Sequence, residues 1–113
     1  ADAKAVLKHL TLGRAAFEEA VAYIVANAKS DAKAVYAGSF AYLRLAGLVL
    51  GGWQMARSLL AAERLRASDP AFYSAKIATA RFFAENLLPQ ASALATSIVE
   101  SGHSTNALEV EQF

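Results

Sequence analysis

Apolar residues cover almost every side of residues 40–60, FAYLRLAGLVLGGWQMARSLL, where the only charges are Arg44 and Arg57. A helix that is apolar all round is either a core helix or a membrane span. The longest uncharged run, residues 45–56, is shorter than the roughly 18 to 20 residues that a bilayer requires. The pattern therefore predicts a central helix that the rest of the chain covers, and no membrane span.

The first of three predicted helices covers residues 3–28, where apolar residues recur every three or four positions. Asp2 is placed to cap its start, and Glu18 and Glu19 fall on its polar side. Gly13 lies inside the helix at a cost of about 1 kcal/mol relative to alanine, so we expect a close contact there with a neighbouring helix. The apolar stripe consists of Ala3, Val6, Leu10, Phe17, Val21, Ile24 and Ala28.

The second predicted helix covers residues 32–67, with Ser30 or Asp31 as its cap. At 1.5 Å per residue it would be about 50 Å long, which makes it the spine of the fold. Its three apolar stripes leave only a narrow strip of small and polar side chains: Arg44, Gly47, Gly51, Gln54 and Ser58. Gly47 and Gly51 lie four positions apart, a spacing that lets two backbones approach and here predicts tight packing inside the fold.

The third predicted helix begins at Asp69 and Pro70, a cap followed by a proline at the first helical position. Its apolar stripe continues in phase across Pro89, so we expect one helix with a kink at Pro89 rather than two helices. Gly102 is expected to end this helix. The stripe consists of Tyr73, Ile77, Ala80, Ala84, Leu87, Ala91, Leu94 and Ile98.

A short final turn is expected over residues 108–113, capped by Ser104 or Thr105, with Phe113 folding back or docking on a partner. The fold class that follows is all-α: an antiparallel bundle of three long helices plus a short C-terminal turn, forming a single domain over residues 1–113. Two flanking helices cannot cover an apolar spine. We therefore expect a further surface, from another chain or from a missing part of this one, to cover the second helix.

Composition supports this picture and excludes some partners. Hydrophobic residues make up 56% of the chain, and about a quarter of it is alanine, which favours closely packed helices. The net charge is +1 with scattered basic residues, which argues against nucleic-acid binding.

The absence of cysteine suits a reducing compartment, and we expect a cytoplasmic location. Lys4 and Lys8 interrupt any signal peptide, and the missing initial methionine suggests a processed start or a fragment of a longer protein.

Few residues suggest chemistry. Glu100 and His103 match one Glu-x-x-His unit of di-iron bundles, but the match occurs once, at a helix end, so a solvated turn is the simpler interpretation. His9 has no evident acidic partner and is expected at or near the surface. Gly51 and Gly52 fall in the middle of a helix, which does not fit a phosphate-binding loop.

Seven aromatic residues could stack on a flat cofactor, but core packing between alanine-rich helices is the simpler interpretation. They are Phe40, Tyr42, Trp53, Phe72, Tyr73, Phe82 and Phe83. Arg57 and Arg81 are the charges expected to be partly covered, with a carboxylate or carbonyl of a neighbouring element as the partner.

The passages LGGWQMARSLLAAERL (residues 50–65) and DPAFYSAKIATARFFAENLLPQASAL (residues 69–94) resemble a known family. They look like the extra C-terminal helical domain of the larger bacterial acyl-CoA dehydrogenases, a group that includes the enzymes acting on phenylacyl-CoA and methylmercaptopropionyl-CoA. The segments GGWQMAR, FYSAKIATARFFAE and LLP carry the resemblance, which extends more weakly over the whole chain.

The resemblance implies that residues 1–113 are the C-terminal part of a longer flavoprotein, which uses FAD to oxidise the Cα–Cβ bond of an acyl-CoA thioester and passes electrons to an electron-transfer flavoprotein. In that family the catalytic glutamate and the flavin-binding motifs lie upstream. The resemblance therefore assigns no catalytic, cofactor-binding or metal-binding residue to this chain. It implies a non-catalytic domain that packs on the dehydrogenase core or a second subunit and shapes the entrance for the acyl chain.

Two other hypotheses remain open from the residues alone. One is a free-standing helical module that homodimerises through the second helix. The other is a carrier that holds a small apolar ligand within the bundle.

Overall fold

The chain folds into α-helices joined by short turns, with no β-strand, which confirms the predicted all-α class. The structure is a computed structural model that describes residues 1–113. Its helices are α1 (Asp2–Asn27), α2 (Ala32–Ala37), α3 (Ser39–Leu65), α4 (Pro70–Asn86), α5 (Gln90–Glu100) and α6 (Gly102–Thr105), followed by a 3₁₀ turn at Val110–Gln112.

The long helices alternate in direction, as predicted. Near the start of α1, Val6 shares a core cluster with Leu59 at the end of α3 and with Ile77 of α4. Further along α1, Ala20 clusters with residues near the start of α3 and in α5. The helix α3 is therefore antiparallel both to α1 and to the pair α4–α5, which gives an up-down-up bundle.

Small side chains fill the centre of the bundle and allow the helices to approach closely. Half of the buried apolar residues are alanine. Leu88, which is 1% exposed, lies between two glycines of neighbouring helices. A methyl group at Gly13 would lie 3.4 Å from the Leu88 side chain, and one at Gly52 would lie 2.8 Å from it. The expected close contact at Gly13 is confirmed.

The interruption at Pro89 takes the form of a three-residue turn between α4 and α5. The backbone N–H groups of Leu87 and Leu88 both donate to the carbonyl of Phe83, at 2.9 and 3.1 Å. Residues 70–100 therefore form two helices, which corrects the prediction of one kinked helix. Leu88 enters the core while Leu87 stays half-buried, and the buried positions continue at intervals of three and four across the turn: 77, 80, 84, 88, 91, 95 and 98. The predicted stripe continued through Leu87 instead, because an interval of three after Ala84 is as compatible with a helix as an interval of four.

The second predicted helix is divided, which corrects the prediction of one helix over residues 32–67. It stops at Gly38, where a methyl group would lie 3.5 Å from Cα of Ile98, and α3 starts at Ser39. Gly102 directly follows Ser101, the C-cap of α5, which is the C′ position that the sequence predicts, but its φ is not positive and it also begins α6. A methyl group at Gly102 would lie 2.8 Å from Cβ of Ala34 and 3.0 Å from its carbonyl oxygen, so this glycine allows α6 to lie close against α2.

Side-chain capping agrees with the sequence at two helices and disagrees at two others. The Asp31 carboxylate accepts the N–H of Ala34 at 3.3 Å, and that of Asp69 accepts the N–H of Phe72 at 3.2 Å. Asp2 makes no capping bond at α1. At the final turn the N–H of Glu109 donates to the side-chain oxygen of Gln112 at 2.7 Å, and the predicted serine or threonine does not cap it.

The molecule is long and thin. Its principal extents are 64 × 29 × 16 Å and its radius of gyration is 18.1 Å, whereas a compact chain of this length has about 13 Å. The accessible surface is 7424 Å², compared with about 6,000 Å² for a compact protein of this mass. The bundle therefore exposes more accessible surface than a compact protein of the same mass.

Candidate functional site

The buried interior contains only apolar side chains and glycine, so polar chemistry is confined to the surface. Glu100 is exposed. The His103 side chain is 88% exposed, with its Nε2 atom 3.6 Å from a carboxylate oxygen of Asp31. The two residues of the Glu-x-x-His unit thus lie at the end of the bundle. His9 is half-buried.

Arg81 has the carboxylate partners that the sequence predicts. Its Nη1 donates to the Asp2 carboxylate at 3.0 Å, and its Nε donates to that of Glu85 at 2.8 Å. The hydrogen bond to Asp2, followed by the hydrogen bond to Glu85 and its negative charge, raises the pKa of Arg81 above its ordinary value. Asp2 therefore ties α1 to α4 instead of capping α1, which corrects the sequence interpretation of that residue.

Arg57 lies in a different environment, and the expected carboxylate or carbonyl cover is wrong for it. It is exposed on α3, and its guanidinium carbon lies 5.3 Å from the centre of the Trp53 ring. This is a cation–π contact within one helix. The guanidinium lies over the aromatic face, and its N–H groups remain free to donate to a partner.

Core packing accounts for only three of the seven aromatic residues. Tyr42 stacks on Phe17 with ring centres 5.8 Å apart, Tyr73 packs against the core, and Phe83 contacts Gly51. Core packing is wrong for the other four, because these residues lie on the sides of α3 and α4 that face solvent. These are Phe40 (79% exposed), Phe82 (61%), Phe72 (51%) and Trp53 (49%).

An apolar ridge runs along the outer side of α3. Phe40, Leu43, Gly47 and Leu50 follow one another at intervals of three and four residues, which places them on one side of the helix. All four are exposed, with Leu43 at 73%. We call these four residues the α3 ridge.

A groove between α1 and α3 lies beside the ridge. Its first part is a cavity of 170 Å³ lined only by apolar residues: Ala3, Val6, Leu7, Leu10, Ala56, Leu59 and Leu60. Its second part adds Thr11, Arg14, Val49, Leu50 and Trp53 and again includes Leu7 and Leu10. The two parts are continuous through these leucines, and Leu50 joins the groove to the ridge. We call this surface the α1–α3 groove.

The two glycines of the GLVLG segment behave differently. A methyl group at Gly51 would lie 3.2 Å from the Phe83 ring, whereas one at Gly47 would meet no atom within 4 Å. Tight packing inside the fold is therefore confirmed at Gly51 and wrong at Gly47. A helical glycine with no neighbour destabilises the helix by about 1 kcal/mol relative to alanine, and nothing within the domain offsets this cost at Gly47.

The charge around the ridge has one sign. Residues 32–62 contain Lys33, Arg44 and Arg57 and no aspartate or glutamate. Arg14, in the groove, is paired with Glu18 at 2.9 Å. The uncovered surface is thus apolar with arginines at its border.

A sequence profile of the family described as acetyl-CoA dehydrogenase C-terminal like matches residues 1–109. The chain belongs to this family. The 3-methylmercaptopropionyl-CoA dehydrogenase of Ruegeria pomeroyi is 39% identical to it over 106 residues, which are 92% of this chain and 18% of that protein. No solved structure matches the chain. The resemblance noted in the sequence is confirmed at the level of the family.

In this acetyl-CoA dehydrogenase C-terminal-like domain, the sequence predicted an uncovered apolar spine but missed the contribution of α1. Leu7 is 62% exposed and lines both parts of the groove. It lies four residues after Ala3 and three before Leu10, so helical spacing could have placed it beside the predicted stripe. None of the helices is both long enough and apolar enough to cross a membrane.

Proposed function

We propose that this chain is the non-catalytic C-terminal domain of an FAD-dependent acyl-CoA dehydrogenase of the cytoplasm, and that it packs on the catalytic core or on a neighbouring subunit. The observation that carries the proposal is the family match over residues 1–109. The Ruegeria relative supports it, because the matched segment is only 18% of a polypeptide that is named as a dehydrogenase.

In the proposed enzyme, an acyl-CoA thioester loses hydrogens from its α and β carbons. A glutamate outside residues 1–113 would take the α proton, and FAD, held by the same outside part, would supply the acceptor for the β hydride. Electrons would then pass to an electron-transfer flavoprotein. We assign no glutamate of this chain to the catalytic role. Glu18, for example, is exposed and paired with Arg14.

The role of the domain itself is to cover part of the core or of a second subunit and to shape the entrance for the acyl chain. Its exposed apolar side chains on α1 and α3 support this role, since contiguous apolar surface on a small domain marks an interaction site.

The decisive measurement is the intact mass of the natural polypeptide that carries this sequence, together with its flavin content. We expect a mass several times the 12.0 kDa of this chain, a flavin absorption spectrum, and reduction of that flavin by an acyl-CoA. A natural product near 12.0 kDa without flavin would contradict the proposal.

The uncovered α3 ridge favours one alternative, a free-standing helical module that forms homodimers through α3. Sedimentation analysis of the natural protein separates the two. A colourless dimer of about twice the mass of this chain would support the alternative, and a large flavoprotein would exclude it.

A further inference from the structure

Gly47 is the only glycine of this chain that no neighbouring residue explains. Each of the other five glycines has a neighbouring atom within 3.5 Å of the position that a methyl group would take, whereas Gly47 has none within 4 Å. Gly47 lies between Leu43 and Leu50, which project on either side of it along α3. The backbone is therefore open at the middle of an apolar ridge, which is the local shape that lets a second helix cross closely.

The α1–α3 groove extends this surface and provides a place for a side chain. Its cavity of 170 Å³ has a wholly apolar lining. Leu7 and Leu10 line both parts of the groove, and Leu50 belongs to the second part and to the ridge. A large apolar side chain of a helix that crosses at Gly47 would find an apolar pocket beside the crossing.

The charges at the border of the α3 ridge indicate what kind of partner the surface binds. Arg44 donates to the amide oxygen of Gln90 at 3.2 Å and Arg57 lies over Trp53, so neither has a carboxylate partner in the domain. No acidic residue occurs in residues 32–62. A second copy that crossed at its own α3 ridge would bring Arg44 and Arg57, and residues 32–62 contain no carboxylate to pair with them, whereas a helix with carboxylates at its edge complements this part of the surface.

We propose that the α3 ridge and the α1–α3 groove bind one apolar helix, bordered by carboxylates, from the dehydrogenase part of the same polypeptide, and that this helix crosses α3 at Gly47. This inference rests on the proposed function. In the Ruegeria relative the matched segment is 18% of the protein, so most of that polypeptide lies outside the segment and can provide such a helix.

The first test places a photo-cross-linking amino acid at Leu43 of the full-length natural polypeptide. We expect a cross-link to an apolar segment that contains aspartate or glutamate and lies outside the residues corresponding to 1–113. A cross-link from Leu43 to the same ridge of a second copy, or no cross-link at all, would overturn the inference. The matched control is the same amino acid at Ala15, which is exposed on α1 and lies outside the groove.

A probe at Phe82 separates this inference from the proposed function. Phe82 is exposed on α4 and belongs to neither surface. Cross-links from Phe82 to the dehydrogenase part, without any from Leu43, would show that the domain docks by another face, so the inference fails and the proposed function stands. If neither position cross-links to the dehydrogenase part, the inference fails, and the intact mass and flavin content decide the proposed function.

The second test uses Gly47→Leu in the same full-length protein. The new side chain has room within the domain but would separate the two helices at the crossing. We expect the domain to become accessible to protease on the order of tenfold faster, because cleavage follows the population of the open form. Ala15→Leu adds the same side chain away from the surface and should leave the rate unchanged. Equal rates for Gly47→Leu and the parent protein would overturn the inference.

Discussion

Two glycines five residues apart on α3 show how much a single position depends on its neighbours. Gly52 is buried, with the Leu88 side chain 2.8 Å from the position of a methyl group, and Gly47 is exposed with no such contact. The sequence alone treats both as glycines inside a helix. Only the packing of α4 and α5 against one side of α3 distinguishes them.

This difference can be measured in the 113-residue chain. Gly52→Leu should lower the free energy of unfolding by about 1–3 kcal/mol, because overpacking a dense core forces helices apart. Gly47→Leu should leave it unchanged or raise it by up to about 1 kcal/mol, since leucine favours the helix more than glycine does. Urea denaturation of both variants provides the measurement, and equal losses would contradict the structure.

Arg81 joins α1 to α4 through Asp2, and its side chain is 41% exposed. Arg81→Gln should lower the melting temperature slightly, and the loss should shrink at about 1 M salt, where screening is strong. The pKa of Arg81 is raised in the folded state, so the stabilisation from its charge is complete below the ordinary arginine pKa and disappears only as the pH rises through the raised value. We therefore expect the same difference in melting temperature at neutral and mildly alkaline pH.

At this scale the sequence predicted polar partners better than aromatic positions. The caps at Asp31 and Asp69 were predictable because each aspartate accepts an N–H three residues further along the chain. The partners of Arg81 were predictable because any nearby carboxylate can accept from a guanidinium. Whether Phe40 or Tyr42 is covered depends on which side of α3 meets α1. Side chains two residues apart on a helix point to different sides. When the helix is apolar all round, its sequence does not indicate which side is covered.

At the scale of elements, Leu88 rather than Leu87 is the core residue at the turn between α4 and α5. Leu88→Ala should lower the free energy of unfolding by about 2–5 kcal/mol, because it leaves a cavity between α1 and α3. Leu87→Ala, at a half-buried position, should cost clearly less. Chemical denaturation of the two variants compares them directly, and a larger loss for Leu87→Ala would contradict the burial of Leu88.

The start of α4 depends on one side chain. Asp69→Ala removes the carboxylate that accepts the N–H of Phe72 and should destabilise the chain by about 0.5–2 kcal/mol. Asp69→Asn keeps an acceptor at the same place and should retain most of the stability. A thermal melt of each variant tests this, and an equal loss for both would show that the cap is not the cause.

The helix starts marked by Asp31 and by Asp69 with Pro70 were predictable, whereas the boundaries set by tertiary contact were not. The start of α4 at Pro70 follows from the sequence. The division at Gly38 depends on Ile98, and the position of Gly102 depends on Ala34, in both cases a residue more than 50 positions away in the chain. Local propensity contains no information about such contacts.

At the scale of the whole molecule, the chain is an elongated slab. X-ray scattering from dilute monomer should give a radius of gyration near the 18.1 Å of the structure, and not the value of about 13 Å that a compact chain of this length would give. The matched control is the Gly47→Leu variant, whose new side chain meets no atom of the domain and which should give the same radius of gyration. A compact value for the parent chain would contradict the helix arrangement.

The sequence predicted the surplus of apolar surface on the second helix but not the continuous face that α1 and α3 form together. An excess of apolar residues can be counted along the chain. The groove exists because Leu7 of α1 and Trp53 of α3 come to lie beside each other, which requires the relative rotation of two helices.

The alanine-filled centre of the bundle has a consequence for how this domain can change. A buried alanine such as Ala20 or Ala80, both 0% exposed, can lose only a single methyl group. Substitution by a smaller residue, which commonly destabilises a core, therefore has little side chain to remove at these positions. Any larger residue pushes two backbones apart. Over evolutionary time these positions should admit little besides glycine, serine and alanine, while the outer sides of the helices remain free to diverge. Directed evolution of the domain should find its stabilising substitutions at the surface.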